Sequence, residues 1–278
     1  SNGIAGSNGS SIFSSMKNIY KKIGSYLILT IASICFLVPF YLIICKASGG
    51  NIALSKGPVI PGTELWKNIS YILFQTEFLK SMWFTLRYTI VQTLLTLLVC
   101  GLAGFAVEIY HDKYKDILFK VVLFAMMISI TPLMVPLFKM YTKWGIIDTM
   151  WGVMAPFLAS PLIIMIFRQN SRGFPYELIE AARLDGVSEL GIFFRIYLPC
   201  MKSTFSCGTI IAFLNAWNSY QWPHLVMYND QKIPMTVYLT LGMKGDNMTL
   251  VLLSMVPSLV IFFIFQKFFV EGMNGALK

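Results

Sequence analysis

Charge is scarce in this sequence: Asp, Glu, Lys and Arg together make up 13% of 278 residues, about half the ~25% usual for a soluble domain. That scarcity excludes an ordinary cytosolic enzyme. Hydrophobic residues at 56% and a mean hydropathy of +0.66 exclude a disordered chain as well. Histidine occurs only at His111 and His224, far apart and without ligand-spaced partners, so no metal site is expected. The five cysteines (Cys35, Cys45, Cys100, Cys200 and Cys207) are odd in number and form no C-x-x-C pair. Lying mostly in or beside apolar runs, they read as small buried side chains and not as a disulfide scaffold. No G-x-x-x-x-G-K-[S/T] run occurs, and the glycines near Gly242–Gly245 lack both its spacing and its Lys-Ser/Thr. No ATP site, catalytic residue or cofactor is therefore expected in this chain.

Long apolar blocks are what the sequence does have. A bilayer core of about 30 Å needs about 20 apolar helical residues, and six stretches qualify: Gly24–Cys45, Tyr88–Val107, Val121–Phe138, Thr149–Phe167, Ser203–Asn229 and Asn247–Gln266. Backbone groups cannot stay unpaired in lipid and no ten-residue alternation suggests a barrel, so the expected fold is an all-α bundle of six transmembrane helices over residues 24–270. Residues 1–23 read as a flexible tail, rich in Gly, Ser and Asn through Ser11, plus a cytoplasmic segment; residues 271–278 read as a C-terminal tail. The first apolar run is too long for a secretory signal and lacks a small-residue cleavage pattern.

Orientation follows from Lys and Arg. With the N-terminus inside, the inner segments carry 13 of the 22 basic residues and the outer segments 8, with Arg87 at a boundary. That bias predicts cytoplasmic N- and C-termini, and it accounts for the net charge of +9 by topology and anionic headgroups, without nucleic acid. Seven prolines (Pro39, Pro132, Pro136, Pro156, Pro161, Pro223 and Pro257) fall within the expected spans. Each removes a helical hydrogen bond, which fits either a kinked bundle enclosing a pathway or ordinary membrane tolerance of proline.

The longest inner loop, between the fourth and fifth spans, holds Arg168, Arg172, Arg183 and Arg195. Its segment Arg172–Pro199 reads as two short helices with a break. Pro175 fits a first helical turn, Glu177 complements the helix dipole, and Gly186 is placed to end the helix in a left-handed conformation. The pair Ala181 and Ala182 offers a low surface to a partner. Ser188 is placed to cap a second helix, whose Ile192, Phe193 and Ile196 make an apolar stripe, and Pro199 stops or bends the chain.

Glu180-Ala181-Ala182, then Asp185-Gly186, then Ile196-Tyr197-Leu198-Pro199 resembles the EAA loop of inner-membrane permeases of ATP-binding-cassette (ABC) importers. Asn215-Ala216-Trp217-Asn218 with Trp222-Pro223 is similar to the W-N-x-x-x-W-P stretch of the sugar-importing branch, and Gln266–Met273 with Gly275–Lys278 is similar to its ending. Pro132, Pro136-Leu137 and Gly145 also match. Ser203 stands where the family often has proline, and Arg87 where it more often has a neutral polar residue. The nearest likeness is the shorter permease of maltose-type systems.

The resemblance implies a type I importer fold in the bacterial inner membrane and a set of partners: a second permease, a cytoplasmic ATPase dimer, an extracytoplasmic solute-binding protein and a sugar substrate. It implies that Glu180, Ala181, Ala182, Asp185 and Gly186 dock on the ATPase; on the residues alone, Glu180 and Asp185 equally suit a solvated helix. Asn215, Asn218 and Gln221, spaced by three, fan across roughly 120° of one helix beside Trp217 and Trp222. Those amides and indoles suit either sugar contact or interhelical glue. The resemblance also implies that the loop Tyr228–Asn247 reaches toward the binding protein and that Gly272–Lys278 touches the ATPase. Another solute, such as glycerol phosphate or a polyamine, is the alternative; a secondary transporter would need intramembrane ionisable residues and repeated halves, which the sequence does not offer.

Overall fold

A computed structural model describes residues 7–49, 59–110, 113–228, 232–242 and 248–276. The chain divides into two units, Ser1–Tyr71 and Ile72–Lys278. The first unit holds α1 (Ser7–Ala47) and the start of α2 (Leu65–Gln75). Helix α1 thus begins at Ser7, inside the segment read as a tail. Its stretch Lys22–Ala47 has a mean hydropathy of 2.6. The two helices of this unit are tied by hydrogen bonds at their junction: Asn68 Nδ2 donates to the Ala47 carbonyl at 2.9 Å, and Glu64 N donates to that of Ser48 at 3.1 Å.

The second unit is a helical bundle. Helices α3 (Phe78–Ile109), α7 (Pro161–Ser171), α11 (Lys202–Trp217) and α14 (Met248–Ala276) pack on one another. Where α3 crosses α7, glycine permits the approach: a Cβ built on Gly104 would stand 2.5 Å from Phe167 Cβ and 3.1 Å from Arg168 N. Without a hydrophobic drive between helices in lipid, such close small-residue contacts supply the packing energy. Around this core lie α4 (Lys113–Ala125), α5 (Ile130–Trp144), α6 (Met150–Met154), α12 (Gln221–Val226) and α13 (Met235–Gly242).

The all-α architecture agrees with the sequence, but the spans are less regular than six straight rods. Among the described residues three helices are long and apolar enough to cross a membrane, and five crossings result if each of two bent pairs counts as one. The expected span Val121–Phe138 breaks between α4 and α5 with a bend of 102°. There Ser129 caps α5 by accepting from Thr131 N at 3.4 Å, and Pro132 sits in the first turn, where its missing N–H is harmless. The span Thr149–Phe167 breaks by 47° before α7; Pro161 opens α7 and holds Ser160 in extended backbone. The span Ser203–Asn229 contains the 16-residue α11, ended by Asn218, and then the separate α12 with Pro223 in its first turn. Pro39, Pro136 and Pro257 remain inside continuous helices.

Candidate functional site

The loop after α7 is a mounted elbow. Its first helix, α8 (Tyr176–Leu184), begins after Pro175, which stands at the cap position, one residue before the first helical turn. It ends at Gly186, whose φ is +75°. Gly186 N donates to the Arg183 carbonyl and Val187 N to that of Ala182, both at 3.0 Å. This pair of bonds is the Schellman arrangement, which satisfies the last carbonyls of the helix and needs a residue free to adopt the left-handed region. Ser188 then caps α9 (Glu189–Ile192), its Oγ accepting from Gly191 N at 3.2 Å.

After α9 the chain does not stop at Pro199. It continues through a π-helical turn, Phe193–Tyr197, into α10 (Leu198–Cys200). The wider turn accommodates a proline that has no N–H to give to the preceding carbonyls. It also turns Ile192, Phe193 and Tyr197 wholly inward, onto Phe105 and Ile109 of α3 and Ile179 and Ala182 of α8.

This packing decides which loop residues face out. Ala182 is 5% exposed and belongs to the inner cluster, so only Ala181 of the expected alanine pair lies on the open face. Glu180, Ala181, Asp185 and Gly186 are exposed. Leu184, which the sequence reading passed over, is 89% exposed, and Leu178 and Leu190 are exposed as well. Its position was readable: with Ile179 and Ala182 directed inward, a residue two positions after Ala182 faces away on an α-helix.

Charged groups fasten the elbow. Arg183 Nε and Nη2 donate to the two carboxylate oxygens of Glu189 at 2.8 and 3.3 Å, and Nη1 donates to Tyr176 Oη at 3.3 Å. The guanidinium hydrogen bonds hold the Glu189 carboxyl below its ordinary range, and the Glu189 carboxylate pushes Arg183 up. Behind α8, Arg168 of α7 donates to Glu108 at 3.2 Å and to Asp116 at 2.6 Å, while its guanidinium lies 4.0 Å from the Phe119 ring centre.

The residues expected on the solute pathway are not gathered on one helix. Asn215 lies on α11, Asn218 caps its end and Gln221 opens α12, so the fan of three amides does not form. Asn215 lines a cavity of about 400 Å³ with Gln92, Thr96, Phe157 and Ser160, whereas Asn218 lines a separate one with Thr236 and Ser258. Both tryptophans pack into the protein. Trp217 is 3% exposed, stacks on Phe213 at 5.9 Å and donates to the Ser254 carbonyl at 3.2 Å. Trp222 is 1% exposed, meets Tyr141 edge-on at 5.4 Å and donates to the Gly152 carbonyl at 2.9 Å. Gln221 and His224 are exposed, and His224 stacks on Tyr220.

Gln92 was missed because it sits in an apolar span. The signal was a polar stripe at helical spacing on α3: Thr85, Thr89, Gln92, Thr93 and Thr96 are all buried. Among the described residues no group of three or more His, Cys, Asp or Glu is gathered as a metal would require. The loop Tyr228–Asn247 is described only in part, through α13, and the side chains of the tail from Gly272 lie outside the described residues.

An apolar helical bundle that carries a charged, outward-facing helix on a clamped elbow suits a membrane-spanning protein. Residues 102–275 match the family described as binding-protein-dependent transport system inner membrane component, and the chain belongs to that family. The lactose transport system permease protein LacG of Rhizobium radiobacter is 35% identical over 259 residues, which is 91% of this chain and 95% of that protein. The arabinooligosaccharides transport system permease protein AraQ of Bacillus subtilis (strain 168) is 34% identical over 215 residues, 74% of this chain and 76% of that one. The sn-glycerol-3-phosphate transport system permease protein UgpE of Pectobacterium atrosepticum is 26% identical over 275 residues, 91% of this chain and 96% of that one. Among solved structures, a chain of a bacterial ABC transporter involved in the import of the acidic polysaccharide alginate shares the fold. Its TM-score is 0.79 at 20% identity, covering 91% of this chain and 98% of that chain.

Proposed function

We propose that this chain is the permease subunit of an importer that moves a sugar or oligosaccharide across the cytoplasmic membrane, driven by a separate ATPase. In this reading a second permease completes the pathway, an ATPase dimer binds from the cytoplasm and an extracytoplasmic binding protein delivers the solute. Both termini are cytoplasmic. The single observation that carries the coupling role is α8: a short helix locked by Gly186 at one end and by Arg183–Glu189 below, with Leu184 89% exposed. A side chain of that size left bare at the tip of a braced element suits a groove on a partner.

Glu180, Ala181, Asp185 and Gly186 surround Leu184 on the docking face, and Ala182 acts from within by packing α8 to its support. Asn215, Asn218 and Gln221 remain in the solute pathway, while Trp217 and Trp222 hold its walls in place.

Two variants test the docking. Gly186→Trp strains the left-handed cap, and Leu184→Asp places a charge in the proposed contact while keeping α8 intact. Each is expected to lower ATP-driven uptake by at least about tenfold, the effect of ~1.4 kcal/mol lost from a buried contact. The level of the permease in the membrane is expected to be unchanged. Normal uptake with Leu184→Asp would remove α8 from the coupling path.

A further inference from the structure

We propose that the cavity between Gln92 and Asn215 is a charge-free subsite for the hydroxyl groups of a neutral saccharide, so that this chain itself takes part in choosing the solute. The inference rests on the sugar-import reading above and adds a location and a selectivity to it.

The cavity, about 400 Å³, lies between α3, the break that precedes α7, and α11. Its size falls within the roughly 300–1,000 Å³ of small-molecule sites. The break that forms one wall is braced and not loose: Thr96 Oγ1 donates to the Phe157 carbonyl at 3.3 Å, and Ser160 N donates to Cys100 Sγ at 3.3 Å.

Two amides open into this space. Gln92 is 5% exposed and its side chain makes no hydrogen bond to any described residue. Asn215, which is itself exposed, lines the same cavity from α11. The Gln92 amide, unlike the sealed hydroxyls of Tyr88, Thr89 and Thr93, is open to the cavity and so can hydrogen-bond what enters it. Each amide offers two donors and an acceptor, which complements hydroxyls that both donate and accept.

The wall also excludes a class of solute. No Lys, Arg, His, Asp or Glu lines the cavity among the described residues. A phosphate or a uronate entering it would lose its hydration with no counter-charge to replace it. The apolar side chains of Phe157 and Ile163 favour an uncharged ring instead.

The test uses the whole complex, with its binding protein, in proteoliposomes. Uptake of radiolabelled lactose, an arabinotriose and glycerol 3-phosphate is measured beside ATP hydrolysis. With Gln92→Leu and with Asn215→Leu, the neutral sugar moved per ATP hydrolysed is expected to fall about tenfold, the effect of losing a hydrogen bond to a solute hydroxyl. Binding-protein-stimulated hydrolysis is expected to stay within about twofold of wild type, and Gln92→Asn, which keeps the amide, should recover most of the uptake. Unchanged sugar moved per ATP in Gln92→Leu overturns the subsite. A parallel loss of uptake and hydrolysis in both leucine variants that Gln92→Asn does not relieve also overturns it, by showing a packing role. A wild-type complex that takes up glycerol 3-phosphate and neither neutral sugar overturns the sugar reading itself, whatever the variants do.

Discussion

Arg168 concentrates three interactions in one side chain. Its exposure is 15%, and Glu108, which it meets at 3.2 Å, is 13% exposed. Asp116, at 2.6 Å, is 60% exposed, so water screens that contact and it contributes little. Glu108 matters more because removing its partner strands a carboxylate in a poorly solvated place, with only Arg172, among the described residues, to answer it at 3.9 Å. Arg168→Met is therefore expected to destabilise the protein by about 3 kcal/mol. Thermal unfolding in detergent should show a lowered midpoint. Arg168→Met combined with Glu108→Gln should cost less than the sum of the two single changes, since the second removes the charge that the first left unpaired. Additive losses would mean that the two groups act separately.

At the level of elements, the mounting of the elbow depends on how closely α3 and α7 approach. Gly104 has no room for a side chain against Phe167, and the obstruction includes the Arg168 backbone, which cannot swing aside. Gly104→Leu should separate the helices at a cost of about 1–3 kcal/mol, and Gly104→Ala should do so to a smaller extent. Because α7 leads directly into α8, the same variants should lower uptake more than they lower the amount of protein in the membrane. Reading the elbow from sequence worked because its rules are local. Gly186, Ser188 and the run Ile192-Phe193 each declare their role within one or two turns. The span breaks were less legible, since a proline such as Pro136 stays inside a helix while Pro161 begins a new one, and the neighbours decide which. The tryptophans show the same limit. An indole suits a sugar face or a core equally well; here Trp217 bonds the Ser254 carbonyl while lining the cavity of Asn218, and Trp222 bonds the Gly152 carbonyl. Gln92 stayed hidden because an amide within an apolar run has meaning only once α11 brings Asn215 to the same cavity.

For the molecule as a whole, the orientation in the bilayer ties these pieces together. ATP is cytoplasmic, so α8 serves as a docking element only if it lies on that side, which is what the sequence leads one to expect when its six-span reading assigns 13 basic residues to inner segments and 8 to outer ones. Such a bias holds the side with more Lys and Arg in the cytoplasm during insertion. Two exposed positions of the second unit, Leu184 on α8 and Lys143 at the end of α5, are assigned to opposite faces by this topology. In a background with Cys200→Ser, which removes an exposed native thiol, a membrane-impermeant maleimide applied to intact spheroplasts should label Lys143→Cys and leave Leu184→Cys unmodified. Inverted vesicles should give the reverse pattern. Labelling of Leu184→Cys from outside would place the elbow away from any source of ATP, and an ATPase-driven role for this chain would then have no physical route.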